Sequence, residues 1–294
     1  MRVFITGASG WIGSHTVDEL LAHDHEVVGL ARSESSAAAL EAKGVTVLRG
    51  NLDDLDSLRT GAADADAVVH LANKHDFDDM AASNRAERAA VETLSEALVG
   101  SDRPLLIASG AGGSVFGETD VLPFHGPDSM RGGAENLLLE YGDRGVRASS
   151  ARFPPTVHGA GDHGFVSILV GVARQQGVSA YVGDGSARWS AVHVTDAAGL
   201  NRLAIEKAPA GSVLHAVAEE GVPTREIDEW IGRGLGLPVT SVEPDAAMAH
   251  FGWIGMFFAM DRAAASQATR DLLGWTPTGP TLVDDLASGA YFEQ

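Results

Sequence analysis

The sequence predicts an α/β protein, a doubly wound parallel sheet followed by a smaller C-terminal lobe. Three observations lead there. Short β-rich runs alternate with longer helical patterns through the first half, a glycine triplet stands between the first run and the first helix, and after about residue 155 the strands thin out while glycine and proline increase. At 294 residues the chain holds one large or two modest domains. The pattern assigns residues 1–155 to the sheet domain and 156–294 mainly to the lobe, with segments near 189–215 returning to the sheet.

The alternation runs "RVFIT" (2–6), "WIGSHTVDELLAH" (11–23), "EVVGLA" (26–31), "SAAALEAKG" (36–44), "VTVLRG" (45–50), "DLDSLRTGA" (54–62) and "AVVHLA" (67–72). A long Ala/Glu-rich helix near 79–100, the strand "PLLIAS" (104–109), a helix near 129–144 and the strand "VRASSARF" (146–153) continue it. Strands separated by helical segments read as βαβ units, whose parallel sheet is covered on both faces. Beyond that come a helix near 163–176, "AYVGDG" (180–185), "WSAVHVTDAAGLNRLAIE" (189–206), "GSVLHAVA" (211–218), a helix near 223–235, an aromatic and Met cluster "HFGWIGMFFAM" (250–260) and helical segments at 261–273 and 280–290.

Composition excludes several classes. With 40 Asp+Glu against 21 Lys+Arg the formal net charge is −19, so nucleic acid and anionic membranes are poor partners. No cysteine is present, which removes disulfides, thiolate nucleophiles and Cys-ligated zinc together, and no metal site is expected. The apolar start of "MRVFITGASG" is too short for the core of a signal peptide, and no run reaches the roughly 20 apolar residues of a membrane span, so a cytoplasmic protein is expected. Neither H-E-x-x-H nor G-x-S-x-G occurs, which leaves zinc hydrolysis and serine nucleophiles without a motif.

"TGASGWIG" places Gly7, Gly10 and Gly13 at G-x-x-G-x-x-G spacing, after the first strand and at the start of the first helix. Glycines there let the backbone pass close to a pyrophosphate, and the helix N-terminus adds free N–H groups and partial positive charge. Ser9, Trp11 and Ile12 belong to the same turn. With "GNLDD" (50–54), "HLA" (70–72), "LIASG" (106–110), "RFPPTVHGAGD" (152–162) and "WSAVHVTDAA" (189–198), the chain resembles the short-chain dehydrogenase/reductase superfamily of extended or atypical type, the NAD-dependent epimerase/dehydratase group. The resemblance spans nearly the whole chain and implies a Rossmann fold with a substrate-binding lobe. It also implies adenine-side contacts from Asn51, Leu52 and Asp53, a lining from Leu71 and Ala72, and a nicotinamide site at Ser109, Pro155, Thr156 and Val157. Homodimers through the long helices are a habit of such proteins.

The second strand ends in Ala31, Arg32 and Ser33, where an NAD-selective site would carry an acid for the ribose 2′-hydroxyl. A guanidinium grips a 2′-phosphate in bidentate fashion and Ser33 adds a hydroxyl, so NADP(H) is the expected cofactor. The other reading of Arg32 is a solvated loop charge.

Relatives use a Ser, a Tyr and a Lys four residues later, whose charge lowers the Tyr pKa. Here the chain departs. Its tyrosines are Tyr141, Tyr181 and Tyr291, its lysines number three, and no Y-x-x-x-K exists. By chain order Arg131 and Glu135 of "MRGGAE" take those places, or, with a one-residue slip, Met130 takes the first. They read first as an i,i+4 ion pair on a helix surface, and second as groups that orient an anion or the carboxamide. Arg131 cannot act as a general acid.

Replacement donors would come from Ser109 with a loop acid such as His158 or Asp128; His125 and His75 are further loop histidines, whereas His70 and His193 read as structural. An iminium substrate already carries its proton and needs mainly a shaped apolar pocket, for which Trp189, Trp253, Met256, Phe257 and Met260 are candidates. The function expected is hydride transfer from NADP(H) to a ketone or imine of an apolar small molecule. The alternatives are a catalytically silent NADP(H)-sensing regulator and, less favoured, a sugar-nucleotide epimerase or dehydratase.

Overall fold

A computed structural model describes residues 1–74, 79–110 and 117–293. The first half alternates as expected: β1 (Arg2–Thr6), α1 (Trp11–Ala22), β2 (Glu26–Ala31), α2 (Glu34–Glu41), β3 (Thr46–Arg49), α3 (Leu55–Ala63), β4 (Ala67–His70), α4 (Met80–Glu96), β5 (Pro104–Gly110), α5 (Ala134–Glu140) and β6 (Arg147–Phe153). The second half holds β7 (Thr156–His158), α6 (Phe165–Gln176), β8 (Ser179–Val182), β9 (Arg188–His193), α7 (Val194–Lys207), β10 (Ser212–His215), β11 (Glu219–Pro223), α8 (Thr224–Leu235), β12 (Val239–Val242), α9 (Ala247–Phe251), α10 (Gly255–Phe258), α11 (Gln267–Leu273) and α12 (Leu282–Ser288).

Seven parallel strands form the main sheet in the order β10-β6-β5-β4-β1-β2-β3. The order reverses beside β1, and in such sheets the crevice at the strands' carboxyl ends is where ligands bind. Side-chain alternation builds a core on each face. Val3 and Ile5 of β1 join Ala67 and Val69 of β4 on the α1 and α7 side, while Phe4 and Val68 pack with Leu58, Val91, Leu94 and Leu138 on the α3, α4 and α5 side. Both faces being covered explains why these strands read as continuous apolar runs.

A third core belongs to the later residues. Leu169, Trp189, Ile227, Phe258, Leu286 and Tyr291 fill it, between a three-stranded sheet (β11-β9-β7) and the parallel pair β12-β8. The return to the main sheet starts at α7 and is completed by β10, whereas β9 lies outside that sheet. The 250–260 cluster is broken into α9, a turn and α10, because Gly252 takes a positive φ of 66°.

Candidate functional site

The crevice at the end of β1 is shaped by missing side chains. Gly7 has φ 71°, and a Cβ there would stand 2.7 Å from the Ala72 backbone nitrogen. A Cβ on Gly13 would fall 1.9 Å from the Gly7 carbonyl oxygen, so α1 approaches the turn only because that atom is absent. Gly10 caps α1 with no side-chain hydrogen bond, and the first turn carries no acid, which leaves the helix N–H groups open to an anion. Ser9 and Gly10 are exposed, Trp11 and Ile12 half-buried. The Trp11 indole donates to the Val157 carbonyl at 2.8 Å, tying the turn to β7. Leu71 and Ala72 close the other side, with the Ala72 N–H donating to Thr6 Oγ1 at 3.3 Å.

At the adenosine end Arg32 is exposed and makes no hydrogen bond or ion pair among the described residues. Ser33 caps α2, its hydroxyl accepting from the Ser36 N–H at 3.1 Å. Arg49 takes the Ser33 carbonyl and the Glu34 carboxylate, so the neighbouring acid is neutralised from β3. Asn51 Oδ1 accepts from the Asp53 N–H at 2.8 Å. Leu52 is buried beneath and Asp53 pairs with Lys74 at 2.7 Å.

Pro155 precedes β7, where Thr156 is buried with its Oγ1 lacking a partner among the described residues. Such an orphan needs a polar group to complete it. Together with the glycine cradle, it fits a nicotinamide dinucleotide, with the carboxamide at this end.

At the carboxyl end of β5 lies a cavity of about 310 Å³. Ser109, at the end of β5, Arg131, Glu135, Asn136 and Arg262 supply polar wall; Leu122, Phe124, Met130 and Phe257 supply apolar wall. Asn136 holds the loop in place by donating to the carbonyls of Leu122 at 2.8 Å and Phe124 at 2.7 Å.

"MRGG" is not the start of a helix. Arg131, Gly132 and Gly133 have φ of 51°, 62° and 61°, a left-handed turn, and α5 starts only at Ala134. For Arg131 that conformation costs roughly 1–2 kcal/mol, so the surroundings must impose it. They do so from one face of α4: Asn84 Oδ1 accepts from the Arg131 N–H at 2.9 Å, Glu87 from the Arg131 guanidinium at 2.7 Å, and Arg88 donates to the Gly132 carbonyl at 2.9 Å.

The expected Arg131–Glu135 surface pair is therefore wrong. The left-handed turn destroys the helical i,i+4 relation, and Arg131 pairs with Glu87 instead. Glu135 is buried against the sheet, where β6 presents Ser150 and Arg152 on one face; it accepts from the Ser150 hydroxyl at 2.8 Å and from Arg152 Nε at 3.1 Å. Arg152 also donates to the Asp120 carbonyl at 2.7 Å. The residue at the lysine's place is thus an acid spent on structure.

Glu87 is 1% exposed. Its Oε2 accepts from Asn73 Nδ2 at 3.0 Å and lies 3.9 Å from His70 Nε2, while His70 Nδ1 is 2.7 Å from Thr6 Oγ1. Burial opposes a charge on Glu87, but Arg131, then His70 and the Arg131 and Asn73 hydrogen bonds, outweigh it and hold the acid below its ordinary range. Burial dominates at His70 and lowers its pKa, against the pull of Glu87.

Other expected positions change. His158 is not on an open loop: it is fully buried in β7, its Nδ1 2.6 Å from Asp285 and its Nε2 3.7 Å from Glu219, because strand alternation turns it toward α12 and away from the cavity. Asp128 is exposed, paired with Arg85 at 2.8 Å, and forms no part of the cavity wall. His125 is exposed on the bordering loop, 3.5 Å from Asn136 Nδ2. Trp189 is core, wedged between Phe165 and Phe258. Trp253, Met256 and Met260 are exposed, and of the aromatic and Met cluster Phe257 alone reaches the wall formed by the described residues. His75 lies outside the described residues. Sequence reasoning missed Glu87, although it occupies the stripe of α4 that also buries Ala90, Val91 and Leu94, and an acid in an apolar stripe is a signal.

A family model described as the NAD dependent epimerase/dehydratase family matches residues 3–217. An uncharacterized protein of Schizosaccharomyces pombe is 48% identical over 297 residues, covering 99% of this chain and 100% of its own length. A 4-hydroxy-2-methyl-3-oxo-4-farnesyl-3,4-dihydroquinoline-1-oxide ketoreductase of Stigmatella aurantiaca is 28% identical over 233 residues, 72% of this chain and 67% of its own. Among solved structures, MoeE5 in complex with UDP-glucose and NAD superimposes with a TM-score of 0.75 at 25% identity, covering 99% of this chain and 97% of that one. Among the described residues no helix is long and apolar enough to cross a membrane, and no cluster of three potential metal ligands occurs.

Proposed function

This chain belongs to the NAD dependent epimerase/dehydratase family, and from that premise we propose that it is an NADP(H)-dependent reductase acting on the ketone or imine of an apolar small molecule. The observation that carries the reading is one cavity, at the nicotinamide end of the crevice, in which Ser109 and Arg131 share mostly apolar walls. The similarity to the Stigmatella ketoreductase supports it.

Gly7, Gly10, Gly13 and the start of α1 would hold the pyrophosphate, Arg32 and Ser33 the 2′-phosphate, Asn51 and Leu52 the adenine, and Thr156 and Val157 the carboxamide. When bound, the cofactor supplies a hydride. The Ser109 hydroxyl donates to the substrate oxygen or nitrogen, and the Arg131 guanidinium stabilises negative charge as it develops there. Arg131 keeps its proton, so a ketone takes its own from water at the half-exposed rim of the cavity, and an iminium needs none.

Tryptophan fluorescence titration with NADPH and NADH, followed by turnover across ketones and imines, tests this. Expected are at least about tenfold tighter binding of NADPH, lost in Arg32→Ala, and cofactor oxidation that falls in Ser109→Ala and Arg131→Gln. A preference for NADH would overturn the cofactor assignment. Tight NADPH binding with no turnover on any compound would favour the silent sensor, the reading supported by an acid, Glu135, already paired with Arg152, at the place where relatives carry the lysine.

A further inference from the structure

This inference rests on the reductase reading and concerns the charge of the substrate. Arg131 reaches the cavity already neutralised. Glu87, at 1% exposure, holds the guanidinium at 2.7 Å through one oxygen, while its other oxygen is fixed by Asn73 at 3.0 Å. The acid therefore has no freedom to swing into solvent and uncover the cation. Asn84 and Arg88, on the same face of α4, pin the backbone on either side of the Arg131 side chain. The neighbouring acid, Glu135, closes on Arg152 in the same way.

We propose that Glu87 is a specificity-determining residue: by cancelling the charge of Arg131 it makes the guanidinium a hydrogen-bond donor for a neutral carbonyl oxygen rather than a counter-ion for a carboxylate. A substrate carboxylate beside Arg131 would set two anions, its own and that of Glu87, against this one guanidinium, and would give up part of its hydration to get there. A neutral carbonyl pays neither cost, and its oxygen gains charge only as hydride arrives, when the N–H groups of Arg131 not used by Glu87 become most effective. The other guanidinium in the wall, Arg262, stands over the Phe257 ring at 5.4 Å and offers an internal comparison.

The test uses two probes of one skeleton, benzoylformate and its methyl ester, with the NADPH-loaded protein, and adds a readout without turnover: calorimetric binding of benzoate to the same complex. Wild type is expected to favour the ester in kcat/KM by at least about tenfold. Glu87→Gln should erase that preference and tighten benzoate by a comparable factor, Arg131→Gln should abolish the gain when combined with it, and Arg262→Gln should leave the effect of Glu87→Gln in place. Glu87→Asp, which keeps the charge, should keep the ester preference while kcat falls. NADPH affinity and thermal unfolding report on folding. Should Glu87→Gln fail to fold, retention of the ester preference in Glu87→Asp decides the matter, and its loss overturns the proposal. Wild-type preference for the acid, or a Glu87→Gln protein in which neither ratio nor benzoate affinity moves, overturns it as well. If wild type reduces neither probe, the reductase reading is decided by the wider ketone and imine panel, and benzoate binding alone decides the role of Glu87.

Discussion

The turn at residues 7–13 and the turn at residues 131–133 are both glycine-rich and both lead into a helix, yet they work in opposite ways. In the first, glycine removes side chains so that the backbone N–H groups at the start of α1 lie open, and the close approach of α1 follows from the local spacing. In the second, glycine permits a left-handed path whose purpose is a side chain, Arg131, and that path is held by α4, more than 40 residues earlier. The first turn's close approach of helix to strand end is made within residues 7–13; the second turn exists only in its tertiary setting.

The largest effect is expected where that setting is most buried. Arg152→Met would leave the Glu135 carboxylate under α5 without its counter-charge, at a cost of about 3–5 kcal/mol. The double variant Arg152→Met/Glu135→Leu should recover most of the loss. Urea unfolding of the three proteins measures it, and equal instability of single and double variants would show that the pair is not what holds α5.

Paired glycine substitutions separate the two turns more directly. Gly13→Ala forces a methyl against the Gly7 carbonyl and should cost about 1–3 kcal/mol or more, with NADPH binding lost. Gly132→Ala puts a Cβ 2.3 Å from the Asn84 carbonyl at a φ of 62°. It should also destabilise, but retain NADPH binding while losing carbonyl turnover. If both variants lose the cofactor alike, the division of labour between the turns is wrong.

The same contrast explains what the sequence disclosed. Strand alternation, the glycine spacing and the bare end of β2 at Arg32 are local patterns, and each is where the residues alone placed it. "MRGG" reads as a helix start because nothing in four residues announces a left-handed turn; the partners that enforce it, Asn84, Glu87 and Arg88, are neighbours only after α4 packs. Trp189 and His158 misled for a related reason. Their surroundings looked open in sequence, but each sits on a strand whose inward face is covered by segments that come much later, α10 and α12.

A smaller effect asks how self-sufficient the first turn is, since Trp11 bonds to Val157 and the next residue is His158. Burial lowers the His158 pKa, but the hydrogen bond to Asp285 and the approach of Glu219 outweigh it and raise the value above the ordinary one. A histidine raised on folding contributes stability that is complete below its unfolded pKa of about 6.5 and disappears as pH climbs through the folded value. The ring also faces His193, whose own pKa burial lowers, and Asp162, whose pKa burial raises, so these groups titrate alongside it. The informative quantity is therefore the difference between wild type and His158→Gln. The wild-type advantage in unfolding free energy should be largest below about pH 6.5 and shrink as pH rises, because the clamp between β7 and α12 loses its charge. NADPH affinity, compared between the two proteins over the same range, should show no matching trend if the glycine turn is local. A parallel loss of affinity would mean that Trp11 transmits the state of His158 to the cofactor site, and that the first turn depends on distant packing as much as the second.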